Sequence, residues 1–545
     1  MQLKLNTRPD SIWDIVRERA AEHGDKTYLN FVDDGETITY RAAADRAGAM
    51  GRGLLEHGVR EGERVGLLLK GCALHVYAWF ATLGASMVDV PINPDFRGAL
   101  LDHAIRKIEV TVVFADLDGL RALQTASPDV RARLALVVVP DAVHREARDA
   151  GLVVDGIGRM LPVSELEDAG RRSTAALPDV DPRALASIRF SSGTTGMPKG
   201  VMSDHGHMLA SARKFNDMME FGSQDTMYTC FPFHHVFATI TGVLSTMCTG
   251  GSMVVARKFS ATRYWQDIRA HGVTRAHVLD PLIPLLMKQP ESALDRAHAV
   301  PVMYTAAGHY PEFEARFGVR IIPLYDMSEL TVALHYPPGV PRRPGSCGME
   351  SGLFDVRIVD GDDYEAPAGT DGEIVVRPRY PSIMFIGYYN DAEQTVAKWR
   401  DLWFHTGDRG RKDEDGFYYF LGRLGDRIRR RGVNLSAEQV EAVALQNPAI
   451  LECAAIAVPS PLGEDDIKLC VRRVAGATAS AAEIAAWLGT MLPKTMTVRY
   501  VEVYDELPKT QTEKVQRAVL RQQGERGLTP ASWDHEARAF VSERR

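Results

Sequence analysis

One stretch of the chain combines hydroxyls, glycines and a lysine in an order that suits a bound polyphosphate. Residues 191–202 have the sequence Ser-Ser-Gly-Thr-Thr-Gly-Met-Pro-Lys-Gly-Val-Met and lie between two apolar runs. Glycines let backbone N–H groups turn toward an anion, and the hydroxyls add further donors. Lys199 contributes a positive charge. Because the same composition is typical of an ordinary surface loop, the order of the residues has to decide between the two interpretations.

The order of these residues differs from that of the P-loop NTPases, since Gly200 rather than Ser or Thr follows Lys199. It resembles the [ST]-[SG]-G-[ST]-[TS]-G-x-P-K-G signature of the adenylate-forming enzymes, a superfamily of acyl-CoA synthetases, luciferases and peptide-synthetase adenylation domains. The resemblance implies that the phosphates of ATP are held by Ser191, Ser192, Gly193, Thr194, Thr195, Gly196 and Lys199.

A second motif resembles the Y-G-x-T-E of the same enzymes. Residues 325–329 are Tyr-Asp-Met-Ser-Glu. The resemblance implies that Tyr325 stacks on adenine, that Ser328 supplies the hydroxyl of the usual threonine, and that Glu329 holds Mg²⁺, which prefers carboxylate oxygen. Asp326 replaces the usual glycine among the ATP-binding residues. Its side chain reaches either the adenine rim or the acyl pocket, and the sequence leaves both open.

Two further segments resemble the ribose-binding part of the family. Residues 406–408 match its T-G-D motif, and residues 422–428 resemble G-R-x-[KD]-D-x-I. Asp408 is expected to accept hydrogen bonds from both ribose hydroxyls, since a carboxylate has two acceptor oxygens. Arg423 is expected to contact the ribose.

The acyl pocket is expected near a pair of histidines. Residues 232–235 resemble the family's P-L-F-H, with His235 at the histidine position and His234 in place of the usual aromatic residue. A metal site is disfavoured because adjacent side chains do not share one face of a strand or helix. Small and apolar residues complete the implied pocket and predict a mainly hydrophobic acid, whether fatty, aromatic or polycyclic: Ala306, Ala307, Gly308, Met327 and Leu330.

The last part of the chain carries the implied catalytic lysine. Residues 508–517 resemble P-K-T-x-x-G-K-[IV]-x-[RK], which places Lys514 at the lysine of the first half-reaction, with Glu513 replacing a glycine. Gly425 stands at the family's hinge position. The basic run at residues 429–431 is either a solvated loop or a wall of the CoA site. In the second interpretation the CoA phosphates meet Arg430, Arg431 and Gly432.

Length and patterning predict an α/β protein of more than one domain. The chain has 545 residues, and strand and helix patterns alternate through residues 65–114, as in parallel sheets with helices packed outside. The family implies a large N-terminal domain, residues 1–424, with helix-flanked sheets and a β-barrel-like subdomain. It also implies a small, mobile α+β domain, residues 425–545. Residues 524–545 are mostly polar and are expected to form a surface tail.

Composition limits the partners and the compartment. A net charge of −7 gives no basic footprint for nucleic acid. Six scattered cysteines without a CxxC pair predict buried free thiols in a reducing cytoplasm. Residues 71–88 are largely apolar, but flanking strand and turn signals favour a buried helix over a membrane span.

Together the motifs predict an AMP-forming acyl-CoA synthetase that uses ATP, Mg²⁺, coenzyme A and a carboxylic acid. The form of the last motif looks most like the carnitine/crotonobetaine-CoA ligases. Three alternatives stay open: a stand-alone acyl-AMP ligase that loads a carrier protein, an oxidative luciferase-like enzyme, and a catalytically silent nucleotide-binding protein. The sequence leaves the oligomeric state open, and a homodimer is compatible with it.

Overall fold

The structure is a computed structural model of the chain. It describes residues 10–150, 154–191, 198–279, 282–287, 289–305, 310–337, 339–424, 427–430, 433–460, 463–508, 515 and 517–543.

Strands account for much of the described chain. In chain order they are β1 (Thr27–Phe31), β2 (Glu36–Thr39), β3 (Arg64–Leu68), β4 (Val88–Pro91), β5 (Val112–Ala115), β6 (Leu136–Val139), β7 (Arg159–Pro162), β8 (Leu185–Ser191), β9 (Lys199–Asp204), β10 (Thr226–Thr229), β11 (Ser252–Val255), β12 (Arg275–His277), β13 (Val302–Thr305), β14 (Arg320–Met327), β15 (Leu330–His335), β16 (Ser346–Glu350), β17 (Phe354–Val359), β18 (Asp371–Pro378), β19 (Gly387–Tyr388), β20 (Trp399–Arg400), β21 (Trp403–Lys412), β22 (Tyr418–Arg423), β23 (Arg427–Arg430), β24 (Val433–Ser436), β25 (Ile450–Pro459), β26 (Asp465–Arg473), β27 (Val498–Tyr504), β28 (Trp533–Asp534) and β29 (Ala539–Phe540).

Helices connect most of these strands. They are α1 (Ile12–His23), α2 (Tyr40–Glu56), α3 (Ala73–Gly84), α4 (Gly98–Ile108), α5 (Leu117–Gln124), α6 (Pro128–Arg131), α7 (Asp141–Asp149), α8 (Val163–Arg172), α9 (His205–Met219), α10 (Val236–Ala238), α11 (Ser245–Thr249), α12 (Tyr264–Ala270), α13 (Leu282–Met287), α14 (Pro311–Phe317), α15 (Ala392–Ala397), α16 (Ala437–Ala444), α17 (Ala481–Met491) and α18 (Arg517–Gln522), with a π-helix at Thr239–Leu244 and 3₁₀ turns at Lys494–Met496 and Val541–Glu543.

One sheet places the phosphate-loop strands beside a buried helix. Its order is β19-β9-β8-β4-β3-β5-β6-β7, parallel from β8 to β7 and antiparallel at the β9 and β19 end. Helix α3 follows β3, and all of its side chains except that of Leu74 are buried. This burial explains the apolar run at residues 71–88, because a helix that is apolar on every side belongs in a core.

A second, larger sheet carries the nucleotide and acyl motifs. Its strands β1, β11, β10, β12, β13 and β14 pair in parallel, and the chain then turns back through antiparallel β15, β16, β22, β21, β18 and β17. The turn between β14 and β15 holds Ser328 and Glu329. The change from parallel to antiparallel pairing therefore falls at the second motif.

The small domain contains a five-stranded sheet of order β25-β26-β27-β28-β29 and the β23–β24 hairpin. Helix α17 begins with a capping box, in which Ser480 and Glu483 bond each other's backbone. The prediction of a surface tail after residue 524 is wrong. Strand β28 pairs with β27, and the side chain of Asp534 is fully buried against Arg499. Two-residue strands are too short to show alternation, so sequence patterning could not reveal them.

The α/β class with a large N-terminal and a small C-terminal domain is confirmed. All six cysteines are free, and all except half-buried Cys72 are buried, as predicted. Within the described ranges no helix has the length and apolarity needed to cross a bilayer.

Candidate active site

The phosphate loop connects two paired strands. Strands β8 and β9 are antiparallel and pair as far as Ser191 and Lys199. The predicted phosphate ligands Ser192, Gly193, Thr194, Thr195 and Gly196 lie outside the described residues, and the side chain of Ser191 is not described. Lys199 is described and is 8% exposed.

Lys199 and Glu329 meet at one tyrosine. The Nζ of Lys199 lies 5.3 Å from the centre of the Tyr388 ring and donates a 2.8 Å hydrogen bond to Oε1 of Gln394. The phenol of Tyr388 donates a 2.8 Å hydrogen bond to Oε1 of buried Glu329. The predicted phosphate lysine and the predicted metal carboxylate therefore both contact Tyr388.

Tyr388 and Gln394 are site residues that the sequence analysis missed. Tyr388 belongs to a Gly-Tyr-Tyr-Asn segment that resembles the family, although that resemblance assigned it no role. Gln394 lies in the first turn of the short helix α15 and belongs to no motif. The pairing of β19 with β9 brings this segment to Lys199.

The predicted adenine and ribose residues also contact each other. The phenol of Tyr325 donates a 2.7 Å hydrogen bond to Oδ2 of Asp408, and both side chains are buried. Asp408 lies on β21 opposite Arg423 on β22. The side chain of Arg423 is not described.

The histidine segment begins an irregular helix. The Nδ1 of His235 accepts a 3.3 Å hydrogen bond from the backbone N–H of Phe237 and so caps α10. The π-helix follows at once, and such irregular turns are frequent at functional sites. Burial lowers the pKa of His235 to about 4 and that of His234 to about 3, so both imidazoles are neutral near pH 7.

Aromatic rings form a wall beside these histidines. Phe237 stacks on Tyr304 with ring centres 5.0 Å apart and 15° between the planes. Tyr304 also hydrogen-bonds the carboxyl of Asp326. Burial raises the pKa of Asp326 to about 6, against the opposing effect of that hydrogen bond. Asp326, the residue that replaces a glycine, therefore has its side chain at the predicted acyl wall.

Only some of the other predicted pocket residues belong to the described part of the chain. Leu330 is buried, half-buried Met327 pairs with it across the β14–β15 turn, and Ser328 lies in that turn. Ala306, Ala307 and Gly308 lie outside the described residues.

The small domain contributes one described member of the predicted CoA site. The side chain of Arg430 is buried, and its Nη2 lies 3.5 Å from Oδ1 of Asp466. Arg430 is therefore not part of a solvated loop, and its charge is matched inside the small domain. Gly425, Arg431, Gly432 and Lys514 lie outside the described residues.

Models of known families match both parts of the chain. The AMP-binding enzyme model matches residues 16–389, and the model of the AMP-binding enzyme C-terminal domain matches residues 439–514. The chain belongs to the AMP-binding enzyme family. The two matches lie on either side of the predicted boundary at residue 424.

Two related proteins of known activity align with nearly the whole of this chain. A sulfoacetate–CoA ligase from Cupriavidus necator is 30% identical over 519 residues, which cover 94% of this chain and 97% of the relative. A crotonobetaine/carnitine–CoA ligase from Salmonella paratyphi C is 26% identical over 526 residues, or 94% and 98% of the two chains. The protein is thus an AMP-forming acid–CoA ligase, as its motifs predict.

A solved structure supports the fold. A double mutant of o-succinylbenzoate CoA synthetase from Bacillus subtilis superposes with a TM-score of 0.75 at 20% identity, covering 94% of this chain and 99% of that one. At this identity the likeness concerns the fold alone.

The residues of this AMP-binding enzyme fit a magnesium ion held jointly with ATP. Glu329 is a buried carboxylate whose Oε1 is oriented by Tyr388. Among the described residues no group of three or more His, Cys, Asp and Glu side chains could hold a metal by itself. Mg²⁺ typically takes one or two carboxylates together with substrate phosphates and water, so one oriented carboxylate beside the phosphate lysine is sufficient.

Proposed function

We propose that this AMP-binding enzyme activates a carboxylic acid with ATP and transfers the acyl group to coenzyme A. The proposal rests on one observation: each end of the segment 325–329 contacts a different group of predicted site residues. Tyr325 bonds Asp408 on one side, while Glu329 bonds Tyr388 beside Lys199 on the other. One short segment thus connects the predicted nucleoside residues to the predicted phosphate and metal residues.

In the first half-reaction a carboxylate oxygen attacks the α-phosphorus of ATP. An acyl-AMP ester forms, the bond from the α-phosphorus to the bridging oxygen breaks, and pyrophosphate leaves. Asp408 and Tyr325 bind the nucleoside, and Lys199 neutralises phosphate charge. Glu329 would hold Mg²⁺, which when bound offsets the charge of the phosphate oxygens. The protein therefore acts by positioning and electrostatics.

Lys514 is assigned to the attacking carboxylate. In this proposal its ammonium group neutralises charge on the acid and on the forming bond. The small domain then rotates about Gly425, removes Lys514, and opens the way for the thiol of coenzyme A, with Arg431 and Gly432 on the CoA side and the guanidinium of Arg430 held by Asp466. The thiol sulfur attacks the acyl carbonyl, the thiol proton is released, and AMP leaves.

The chemical class of the acid is assigned from the aromatic residues that line the predicted acyl pocket of this chain. The relatives act on acids as different as sulfoacetate and carnitine, so their names do not choose one. The stacked rings of Phe237 and Tyr304 present mainly apolar surface. We therefore assign an acid with an apolar body. We assign the reaction to the cytoplasm, an assignment that the free thiols and the proposed use of ATP and CoA support.

The first test measures pyrophosphate release with Mg·ATP across fatty, aromatic and polycyclic acids and diacids, with and without coenzyme A. The proposal predicts release with one class of acid and an acyl-CoA product when coenzyme A is present. Release without a thioester product would instead indicate an acyl-AMP ligase that loads a carrier protein. No release with any acid would overturn the proposal.

A second test separates the half-reactions. Lys514→Ala is expected to abolish pyrophosphate release while leaving thioester formation from supplied acyl-AMP largely intact. Lys494→Ala, a lysine elsewhere in the small domain, is the matched control and is expected to retain both activities. Equal loss of both half-reactions in Lys514→Ala would contradict the assigned role.

A further inference from the structure

A buried arginine next to the phosphate loop has hydrogen-bond donors that the described structure does not use. Arg189 lies on β8, two residues before Ser191, and is 6% exposed. It belongs to a group that we call the Arg189 cluster: Asp89, Arg189, His75, His234 and His235.

We propose that the Arg189 cluster binds a second anionic group on the acid substrate, so that the acid carries a carboxylate or sulfonate in addition to the carboxylate that is activated. This inference rests on the proposed function, because it concerns the substrate of that reaction.

The ion pair inside the cluster is incomplete. The Nη2 of Arg189 lies 3.4 Å from Oδ2 of Asp89, and the hydroxyl of Ser187 donates a 3.0 Å hydrogen bond to that same oxygen. The Nε and Nη1 of Arg189 are buried without a hydrogen-bond partner among the described residues, whereas the carboxyl of Asp89 also accepts a hydrogen bond from Trp79. A guanidinium has five N–H donors, and one long contact leaves most of them unused.

Such an arrangement is costly without a further partner. A buried ionised group loses its hydrogen bonds to water, and its burial costs free energy unless protein groups replace those bonds. Buried charged side chains in folded proteins therefore normally have hydrogen-bond partners for their polar atoms. Because an arginine fork can engage two anions at once, Arg189 can keep Asp89 and still offer Nε and Nη1 to a second carboxylate or sulfonate.

Imidazoles complete the lining of the cluster. The Nδ1 atoms of His75 and His234 are also buried without a partner among the described residues. Burial, followed by nearby positive charge that includes Arg189, lowers the pKa of both to about 3, so both imidazoles are neutral. His234 can donate its one N–H to an anion, whereas the N–H of His75 bonds the backbone carbonyl of Leu69.

The same histidines connect the cluster to the acyl wall. His75 packs edge-on against Phe233 with ring centres 5.3 Å apart, and His234 is the next residue. His235 lies 5.5 Å from the Phe237 ring, which stacks on Tyr304. An acid with its apolar body along this wall therefore has the histidines of the Arg189 cluster next to it.

Two other interpretations give different results in experiments. Buried water could satisfy the unused donors, or the arginine and aspartate could form a purely structural ion pair. In either case charge removal would change the stability of the fold without changing which acids the enzyme prefers.

The test uses the full-length enzyme and matched pairs of acids. Succinate, glutarate, adipate, suberate and isophthalate are each compared with their monomethyl esters in ATP-dependent pyrophosphate release. A charged hydrogen-bonded contact is worth about 1.5–3 kcal/mol, so at least one diacid is expected to exceed its ester about tenfold or more in kcat/KM.

The double variant Arg189→Gln/Asp89→Asn removes both charges together and avoids leaving one buried and unpaired. It is expected to lower the diacid-to-ester ratio of kcat/KM about tenfold. Arg46→Gln/Glu167→Gln removes a comparable pair joined at 2.6 Å between α2 and α8, and it should leave the ratio unchanged. Thermal unfolding of both double variants records any loss of stability separately.

The outcomes distinguish this inference from the proposed function. Release with monoanionic acids and a ratio near one would overturn the inference while leaving the ligase reaction in place. An unchanged ratio in the Arg189→Gln/Asp89→Asn variant would also overturn it. If that variant does not fold, the diacid-to-ester ratio of kcat/KM in the wild-type enzyme decides whether the inference holds. No release with any acid overturns both proposals.

Discussion

The phenol of Tyr325 donates a 2.7 Å hydrogen bond to the carboxylate of Asp408, which joins the end of a parallel strand to an antiparallel one. The bond is buried, so it fixes the orientation of a carboxylate that is assigned to the ribose. It also holds the ring of Tyr325 where adenine is expected to stack. We therefore expect nucleoside binding to depend on both residues as a unit.

Tyr325→Phe is expected to raise the KM for ATP about tenfold, because it removes a buried hydrogen bond to a charged acceptor while keeping the ring. The KM for the acid should change little. Tyr419→Phe is the matched control, since its phenol donates a 3.0 Å hydrogen bond to Asp413. Equal increases in the two variants would contradict a specific role for the Tyr325 bond.

Tyr388→Phe tests the orientation of the metal carboxylate. Without the 2.8 Å hydrogen bond to Oε1, Glu329 loses its fixed position, and the Mg²⁺ concentration for half-maximal activity should rise several-fold. The neighbouring Tyr389 donates an equally long bond to exposed Glu109, so Tyr389→Phe is the control. A Mg²⁺ requirement that is unchanged in Tyr388→Phe would argue against Glu329 as a metal ligand.

Glu502→Ala is expected to destabilise the small domain by about 3–5 kcal/mol, because it leaves the buried ammonium of Lys468 without its carboxylate. The two groups lie 2.7 Å apart, and Ser532 and Thr529 also donate to Glu502.

Urea unfolding followed by circular dichroism measures this effect. Glu452→Ala breaks a more exposed pair with Arg472 between β25 and β26 and should cost about 1 kcal/mol or less. Similar losses of unfolding free energy in the two variants would show that the burial of Lys468 does not determine the size of the effect.

Buried histidines predict a loss of stability in acid. Burial lowers the pKa of His207 to about 3, against an ordinary value of 6.5. Because the pKa of His207 is lower in the folded chain, this histidine becomes protonated in the unfolded chain but stays neutral in the folded chain as the pH falls below 6.5. At pH 5.5 this one group favours unfolding by about 1 kcal/mol. Asp89 and Asp326 act in the opposite sense, since burial raises the pKa of each to about 6.

His207→Gln should therefore reduce the stability difference between pH 7.5 and 5.5, measured by denaturant unfolding at both values. Glutamine can keep a hydrogen bond to Ser203, which lies 3.0 Å from the His207 Nδ1. The exposed His271 provides the control variant His271→Gln. An unchanged pH dependence in His207→Gln would contradict the assignment of the effect to this residue.

Local patterns predicted the elements and the site residues that belong to contiguous motifs. Helix α3 follows from the apolar run at residues 71–88 and its flanking strand and turn signals. Tyr325, Glu329 and Asp408 stand in recognisable motifs, and the structure brings Tyr325 to Asp408.

Contacts between distant segments could not be predicted in this way. Gln394 reaches Lys199 from 195 positions away, and Arg189 meets Asp89 across 100 positions. Local periodicity reports which face of an element is buried but not which strand or loop will face it. The short strands β28 and β29 were missed for a related reason, since they depend on pairing with β27 rather than on their own pattern.

The most direct test of the central claim follows an oxygen atom from the acid to the nucleotide. The acid that best supports pyrophosphate release is supplied with ¹⁸O in its carboxylate, together with Mg·ATP and coenzyme A, and the AMP is examined by mass spectrometry. Attack of the carboxylate on the α-phosphorus predicts one ¹⁸O in the AMP for each acyl-CoA formed. Unlabelled AMP, or label in inorganic phosphate with ADP as the nucleotide product, would contradict an acyl-adenylate route.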